Sequence, residues 1–412
     1  MTDLESQSGI SRINRAALKN QLLMAAILLV TFSSPAQSVS WRGNVTVQER
    51  LFLQDPADPR QHGNNFSVAA QPEMYHEWAD GKQSISFIPF VRLDQGDDER
   101  THADIRELSW SLIARDYEWT VGLSKVYWGV TEAQHLVDII NQTDLVENFD
   151  GEDKLGQPMV KLALIRDWGT VDLFVLPGFR ERTFAGVHGR PRVIPRVEKD
   201  LTRYESSQEE KHVDLAARWS HAIGDMDIGL SWFHGTSRDP ILSPAQYNGE
   251  IVLQPFYQII DQAGLDIQLT RGSWLWKLEA INLDGNYVKY RRATGGFEYT
   301  FYGLAGSAAD LGLVMEYLYD SRGELATTPF EDDIMTGLRL TLNDEQSTDA
   351  LLGVIKDTHD DSYLISLEAN RRIGDSWKLS IQASKFLVDG LDQSLKSFAE
   401  DDLLQIELGY YF

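Results

Sequence analysis

The chain has 412 residues, no cysteine and a formal net charge of −24. Without cysteine, disulfide cross-links, thiol catalysis and cysteine-ligated metals are excluded. The acidic balance also argues against a nucleic-acid-binding protein, which needs a basic surface.

The first predicted element is a secretory signal at residues 1–38. Two arginines and a lysine precede an apolar run over residues 22–32, and small residues at 34–36 allow cleavage. The apolar run is far shorter than the roughly 20 residues that a membrane-spanning helix needs. Residues 39–412 are therefore expected to form a single mature domain, and any membrane crossing within it must use strands.

Alternation of apolar and polar residues then recurs along the mature chain. In one segment Val213, Leu215 and Trp219 alternate with Asp214 and Arg218, the period of a strand between lipid and a polar lumen. The pattern predicts about 18 strands. The segments are 41–53, 66–78, 82–93, 103–115, 117–128, 157–166, 169–178, 209–221, 226–236, 261–270, 274–283, 293–303, 310–320, 331–342, 350–357, 361–371, 376–388 and 401–412.

The connections between these segments alternate between short and long. This layout predicts an all-β fold, a transmembrane antiparallel up-and-down β-barrel with short periplasmic turns and long extracellular loops. Regions 237–261 and 343–360 are the least regular, so the predicted number of strands is 16 to 18. An even number places both termini in the periplasm. A barrel of this size encloses an aqueous channel unless loops fill it.

Two long connections carry opposite charge. Residues 129–156 are mainly acidic, and a capping-box pattern at Thr131 predicts a short amphipathic helix there. Residues 179–208 are rich in arginine, which suits anionic sugars, carboxylates or phosphates. Folded inward, the two loops would set up a transverse field at a constriction; two solvated surface loops are the alternative. The constriction candidates are Glu132, Asp138, Asp144 and Glu147 on the acidic side and Arg180, Arg182, Arg190, Arg192 and Arg196 on the basic side.

Charged residues also occur on the strand faces themselves. Glu49 falls on the nominal lipid face of the first strand, which predicts either a bulge or a position near a membrane interface. The lumen-facing charges have both signs and predict ion pairs across the wall. They are Arg50, Arg92, Glu107, Lys161, Asp172, Asp214, Arg218, Asp266, Lys277, Glu279, Glu298, Arg339, Glu368, Lys378 and Glu407.

The last segment resembles the terminal strand of bacterial outer-membrane barrels. Its apolar face includes Leu404, Ile406 and Leu408 and ends in Tyr410 and Phe412. In that family a C-terminal aromatic residue is read by the barrel-assembly machinery. The resemblance therefore implies that Tyr410 and Phe412 form an assembly signal.

A second resemblance lies in the acidic loop. Trp-Gly at 128–129, Val-Asp-Ile-Ile-Asn at 137–141 and Asp-Leu at 144–145 are similar to a stretch in uncharacterised porin-like families of Gram-negative outer membranes. Gln142 replaces the usual proline. The resemblance covers this stretch and the general barrel layout, and it implies a porin or an outer-membrane part of an export system for polysaccharide or hydrophobic molecules.

The expected function is passive diffusion of small hydrophilic solutes, with anionic solutes as the candidate class, across a Gram-negative outer membrane. The alternative is an outer-membrane component of an export or lipid-transport system that acts with a periplasmic or lipoprotein partner. An enzyme is not expected, because the 9 histidines are scattered and no nucleophile elbow, P-loop or zinc-protease motif is present. No cofactor or metal is expected. The expected partners are outer-membrane lipid, lipopolysaccharide, the assembly machinery and small solutes, with no nucleic acid.

Overall fold

The computed structural model describes residues 39–326, 328–389 and 393–412. The predicted signal at 1–38 lies outside the described residues. The strands are β1 (Ser40–Phe52), β2 (Asn64–Trp78), β3 (Gln83–Asp94), β4 (His102–Ile113), β5 (Tyr117–Ser124), β6 (Gln157–Arg166), β7 (Gly169–Pro177), β8 (Arg203–Tyr204), β9 (Val213–Ile223), β10 (Met226–Thr236), β11 (Ile241–Tyr247), β12 (Glu250–Tyr257), β13 (Ile259–Arg271), β14 (Trp274–Gly285), β15 (Lys289–Phe301), β16 (Asp310–Asp320), β17 (Asp332–Thr341), β18 (Asp349–Asp357), β19 (Tyr363–Ile373), β20 (Trp377–Leu387) and β21 (Leu403–Tyr411). Short helical turns lie at Lys199–Leu201, Glu209–Lys211, Leu304–Gly306, Gly323–Leu325 and Gln393–Lys396.

Eighteen of these strands form one antiparallel sheet. Each strand pairs with its neighbour along the chain, and β1 also pairs with β21, from Asn44 opposite Tyr411 to Phe52 opposite Leu403. The sheet is therefore closed, and the predicted all-β up-and-down barrel is confirmed. β8, β11 and β12 form a separate three-stranded sheet within the long loops.

The strand boundaries follow the predicted segments closely, with two informative differences. β5 ends at Ser124 instead of continuing to residue 128, because residues 125–128 leave the wall. β9 begins at Val213, since Glu209–Lys211 is a single helical turn. The irregular region 237–261 contains the hairpin β11–β12, which pairs outside the barrel sheet.

The barrel wall is polar inside and apolar outside. On β1, Gln48 and Arg50 are buried, whereas Val45 and Val47 are 42% and 38% exposed. This inversion of the usual soluble pattern is typical of a strand that faces lipid on one side and a lumen on the other. Glu49 causes no bulge, because β1 keeps a continuous register with β2 and β21; it lies at the long-loop end of the strand.

Aromatic side chains cluster on the outer face of the barrel, at the end where the short turns lie. Trp274 contacts Trp276, Phe297 and Tyr299, with ring centroids 4.6 to 5.4 Å apart. Belts of this kind sit at the membrane–water interface. Tyr410 joins the same belt, and its ring centroid lies 5.1 Å from that of Trp377.

The main hydrophobic core lies inside the lumen. It consists of apolar residues from the connection 125–156 packed against the inner faces of β7, β10, β13 and β14. Val137 and Ile140 are fully buried there beside Phe233 and Ile260. Within the described residues, no helix is both long and apolar enough to cross a membrane.

Candidate functional site

The connection between β5 and β6, residues 125–156, crosses the lumen and is held by carboxylates of the wall. Glu279 on β14 accepts the backbone N–H groups of residues 130–131 at 2.6 and 2.9 Å. Glu316 on β16 accepts those of residues 132–133 at 2.8 and 2.9 Å. Both carboxylates are buried. A buried carboxylate that binds several N–H donors fixes the backbone firmly, so these two residues anchor the loop to one wall.

The helix predicted from the capping-box pattern is wrong. Residues 125–156 are all described and contain no helix. Thr131 does form a local bond, donating its hydroxyl to the Gln134 carbonyl at 2.6 Å. However, the backbone N–H groups that would be unpaired in the first turn of a helix are bound here by Glu279 and Glu316, which lie far away in the sequence. Tertiary bonds thus replace the local cap.

The other end of the loop is clamped by arginines of the opposite wall. Both carboxylate oxygens of Glu147 accept hydrogen bonds from the Arg92 side chain of β3, at 2.8 to 3.1 Å. Asp144 accepts a hydrogen bond from Arg106 of β4 at 2.5 Å. Arg100 donates to the Val146 carbonyl at 2.8 Å. All three arginines are buried, so the clamp is water-poor and its charges compensate one another.

The four predicted acidic candidates therefore have different positions. Asp144 and Glu147 are buried in the clamp. Asp138 accepts the backbone N–H groups of residues 128–129 at 2.6 and 2.9 Å and folds the loop on itself. Glu132 contacts Arg339 of β17 at 2.6 Å and Lys277 of β14 at 3.4 Å. Of the four, Glu132 and Asp138 line the central cavity.

Each of the five predicted basic candidates is bound to a carboxylate. Arg182 and Arg192 line the cavity, and the other three lie among the loops around it. The pairs are Arg180 with Asp104 at 2.8 Å, Arg182 with Asp239 at 2.7 Å, Arg190 with Asp401 at 2.7 Å, Arg192 with Asp58 at 2.6 Å and Arg196 with Glu198 at 2.6 Å.

The pairs of Arg182, Arg190 and Arg192 join different long loops. Asp97, in the connection between β3 and β4, accepts the backbone N–H of Gly186 at 3.0 Å. A Cβ atom at Gly189 would lie 2.1 Å from an Asp97 carboxylate oxygen, so this close approach requires glycine. Gln61, between β1 and β2, donates to the Gly189 carbonyl at 2.8 Å. The long-loop end of the barrel is thus partly covered by connected loops.

Below these loops lies a cavity of about 970 Å³. One side is formed by residues 131–154, and the other by the inner faces of β17 to β21. Elsewhere the lumen wall carries the expected ion pairs: Arg218 contacts Asp266 at 2.5 Å, and Lys161 contacts Asp172 at 3.2 Å.

His135, at the loop surface that faces the cavity, is positively charged at neutral pH. Its imidazole lies 3.2 Å from the Glu152 carboxylate and 3.8 Å from that of Glu279. These two carboxylates raise the pKa of His135 to about 10.

Two groups of site residues were missed in the sequence. The first is the apolar part of the cavity wall, including Ile355 and Leu364; a usable signal was that both faces of β18 and β19 are apolar there, as in Val354 beside Ile355. The second is Asp150, which lines the cavity; no local pattern distinguishes it from the other acids of its loop.

No family model and no curated protein sequence matches the chain. Among solved structures it is similar to Wzi of Escherichia coli, an outer-membrane carbohydrate-binding β-barrel involved in group 1 capsule assembly, with a TM-score of 0.51 and 9% identity over 89% of this chain and 84% of that chain. It is also similar to OccK3 (OpdO) of Pseudomonas aeruginosa, with a TM-score of 0.50 and 10% identity over 90% of this chain and 96% of that chain. At such identities the likeness concerns the fold. The chain has the fold of an outer-membrane porin-like β-barrel.

Proposed function

We propose that the protein is a channel for the passive diffusion of small hydrophilic solutes across the outer membrane, with residues 129–156 and 179–208 forming its constriction. The observation that carries the proposal is the path of the first loop: it crosses a polar lumen, is anchored on both walls, and leaves a cavity of about 970 Å³ against β17 to β21. Loops that narrow a wide barrel in this way convert a large pore into a selective one.

We base a proposed orientation in the membrane on the same layout. The short turns lie at the end of the barrel where β1 begins and β21 ends. Barrels of this kind keep short turns in the periplasm and long loops outside. We therefore place both termini in the periplasm and the tied loops, which would meet lipopolysaccharide, at the cell surface.

The preference for anionic solutes stays a prediction, and the contacts reduce its support. It was based on five arginines, but each is bound to a carboxylate at 2.6 to 2.8 Å. Paired charges create a weak net field for a passing ion.

A swelling assay tests the proposed diffusion. Proteoliposomes that contain the refolded barrel are transferred to isosmotic solutions of arabinose, glucose or raffinose. We expect swelling with arabinose, slower swelling with glucose and little with raffinose, because the loop narrows the lumen. Heat-unfolded protein is the control. Absence of swelling with every sugar, from a folded barrel, would contradict free diffusion and favour the partner-dependent export or lipid-transport component.

A further inference from the structure

On four adjacent strands, β17 to β20, the inner wall next to the cavity carries a row of apolar residues beside a row of small residues. Met335, Ile355, Leu364 and Phe386 are direct register partners from strand to strand. Together they form a continuous apolar row on the inner wall, on strands other than those that carry the main hydrophobic core. Met335 and Phe386 are buried, at 4% and 5% exposed, whereas Ile355 and Leu364 remain partly exposed to the cavity, so an apolar ligand group would complete the burial of the row.

The next row towards the short-turn end consists of small residues. Gly337, Gly353, Ser366 and Ser384 are again partners across the same strands. Because these residues have little or no side chain, the wall recedes there. The apolar row thus borders a recess, which forms one side of the cavity.

Aromatic rings of two loops border the same apolar row. The ring centroid of Phe149, from the loop that crosses the lumen, lies 5.9 Å from that of Phe386. Phe398, from the connection between β20 and β21, stacks on the other side at 5.7 Å. All three rings line the cavity. Aromatic faces of this kind bind apolar groups and cations.

Two carboxylates that line the cavity have no basic partner within the described residues. The carboxylate of Glu368 on β19 makes no hydrogen bond or ion pair within the described part of the chain. Asp150 accepts hydrogen bonds from the Glu152 backbone and the Asn148 side chain but contacts no base. Asn148 also donates to Gln382 at 3.3 Å, and Gln382 is the register partner of Glu368. The two carboxylates therefore lie at one end of the recess.

Six bases line the cavity, and within the described residues five of them, all but Lys154, are paired with a carboxylate. Arg182 is paired with Asp239, and Arg192 with Asp58. Lys154 is buried and donates to the Gly151 carbonyl at 2.8 Å. An anion that entered would have to compete with these partners, whereas a cation would meet Glu368 and Asp150 unopposed.

We propose that this cavity is a binding site for small organic cations with an apolar body, such as aromatic amines. The ring of the ligand would lie in the recess beside Phe149 and Phe386, and its ammonium group would face Glu368 and Asp150. The inference rests on the proposed channel only in that solutes must reach the lumen.

The test measures binding at equilibrium, by calorimetry on the full barrel in lipid nanodiscs at pH 8. Three probes separate the contributions: benzylammonium has the ring and the positive charge, benzoate has the ring with a negative charge, and methylammonium has the charge without the ring. We expect benzylammonium to bind at least about tenfold more tightly than either of the others. Equal or tighter binding of benzoate would overturn the proposal, and so would equal binding of methylammonium.

Two variants locate the site. Glu368→Gln and Phe149→Leu should each weaken benzylammonium binding about fivefold. Glu107→Gln, a lumen-facing acid on β4 that is not among the residues lining the cavity, should leave it unchanged. Heat-modifiable migration in gels checks that each variant folds, and the comparison of probes on the unmodified protein stands without any variant. Unchanged binding in folded Glu368→Gln would contradict the assignment.

The swelling assay separates this inference from the proposed function. Binding of benzylammonium by a barrel that admits no sugar would leave the site standing and refute free diffusion. Swelling with sugars but no selective binding of benzylammonium would refute the site alone.

Discussion

Buried ion pairs set the position of the loop at the scale of single residues. Glu147 is 8% exposed and receives Arg92 through both oxygens, and Arg106 lies 3.9 Å away. If the carboxylate is removed, these arginines remain in a water-poor site without their partner. Breaking a buried pair in this way costs more than the pair contributes.

We therefore predict that Glu147→Gln lowers the free energy of unfolding by about 3 kcal/mol. Urea unfolding in lipid vesicles, followed by tryptophan fluorescence, measures the change. The matched control is Glu73→Gln, which breaks the contact with Arg42, whose side chain is 76% exposed; the control should change the free energy by less than about 1 kcal/mol. Equal effects of the two substitutions would show that the clamp does not stabilise the barrel.

We expect the loop residue Asp150 to make the ion selectivity of the channel depend on pH. Its carboxylate opens onto the cavity, but desolvation inside the lumen, together with the negative charges of Asp153, Glu152 and Glu368, raises its pKa to about 7. Its carboxyl is neutral at pH 5.5 and negative at pH 8.5. The lumen thus becomes more negative as the pH rises through 7.

We predict that the reversal potential in a salt gradient shifts towards cation preference between pH 5.5 and 8.5, with a midpoint near the pKa of about 7. Asp150→Asn should remove this step. Asp225→Asn, at an exposed short turn, should retain it. A step of the same size in Asp150→Asn would assign the titration to another group.

At the residue scale, the sequence indicates the charged regions but not which residues pair. The acids of 129–156 and the arginines of 179–208 were recognised, yet the pattern of a single chain does not show that Arg190 meets Asp401 or that Arg192 meets Asp58. Partners that lie hundreds of residues apart or on different loops depend on the closure of the barrel. The sequence therefore indicates two loops of opposite charge, facing each other or solvated at the surface, whereas in the structure each of the five arginines is paired with a carboxylate.

At the scale of elements, strands and loops follow different rules. Strands such as β6 (Gln157–Arg166) and β10 (Met226–Thr236) were predicted to the residue, because alternation between lipid and lumen is written into each segment locally. The path of residues 125–156 was not predictable in the same way. Its backbone donors are bound by Glu279 and Glu316, which belong to strands far along the chain.

Release of this loop should widen the channel. In the double variant Glu279→Ala and Glu316→Ala, the backbone N–H groups of residues 130–133 lose their acceptors on the wall. We predict faster swelling of proteoliposomes with glucose and measurable swelling with raffinose. Glu107→Ala is the control, since Glu107 accepts from Ser109 of its own strand. If the double variant keeps the size limit of the unmodified protein, the anchors do not define the constriction.

At the scale of the whole molecule, the closed sheet and the aromatic belt define how the barrel sits in a membrane. The β1–β21 pairing removes both open edges, which a sheet in lipid requires. The belt around Trp274 and Trp377 marks the short-turn end. The class of fold and the number of strands were predictable, because the alternation of apolar and polar residues recurs in each strand along the chain. The cavity was not, since it depends on how loops from several strands fill the lumen together.

The orientation is testable because the chain has no cysteine. Ser207→Cys places a thiol on an exposed position of the long-loop end, and Asp225→Cys places one on an exposed short turn. We predict that a membrane-impermeant maleimide labels Ser207→Cys on intact cells, whereas Asp225→Cys is labelled only after lysis. The opposite pattern would invert the barrel in the membrane.

The central claim is that residues 125–156 narrow a water-filled barrel into a channel. Single-channel conductance of the refolded protein in a planar bilayer tests it most directly. We predict stable open steps for the unmodified protein, and larger steps for the Glu279→Ala and Glu316→Ala double variant. A silent bilayer from a folded, heat-modifiable barrel, or steps of the same size in both proteins, would contradict the claim.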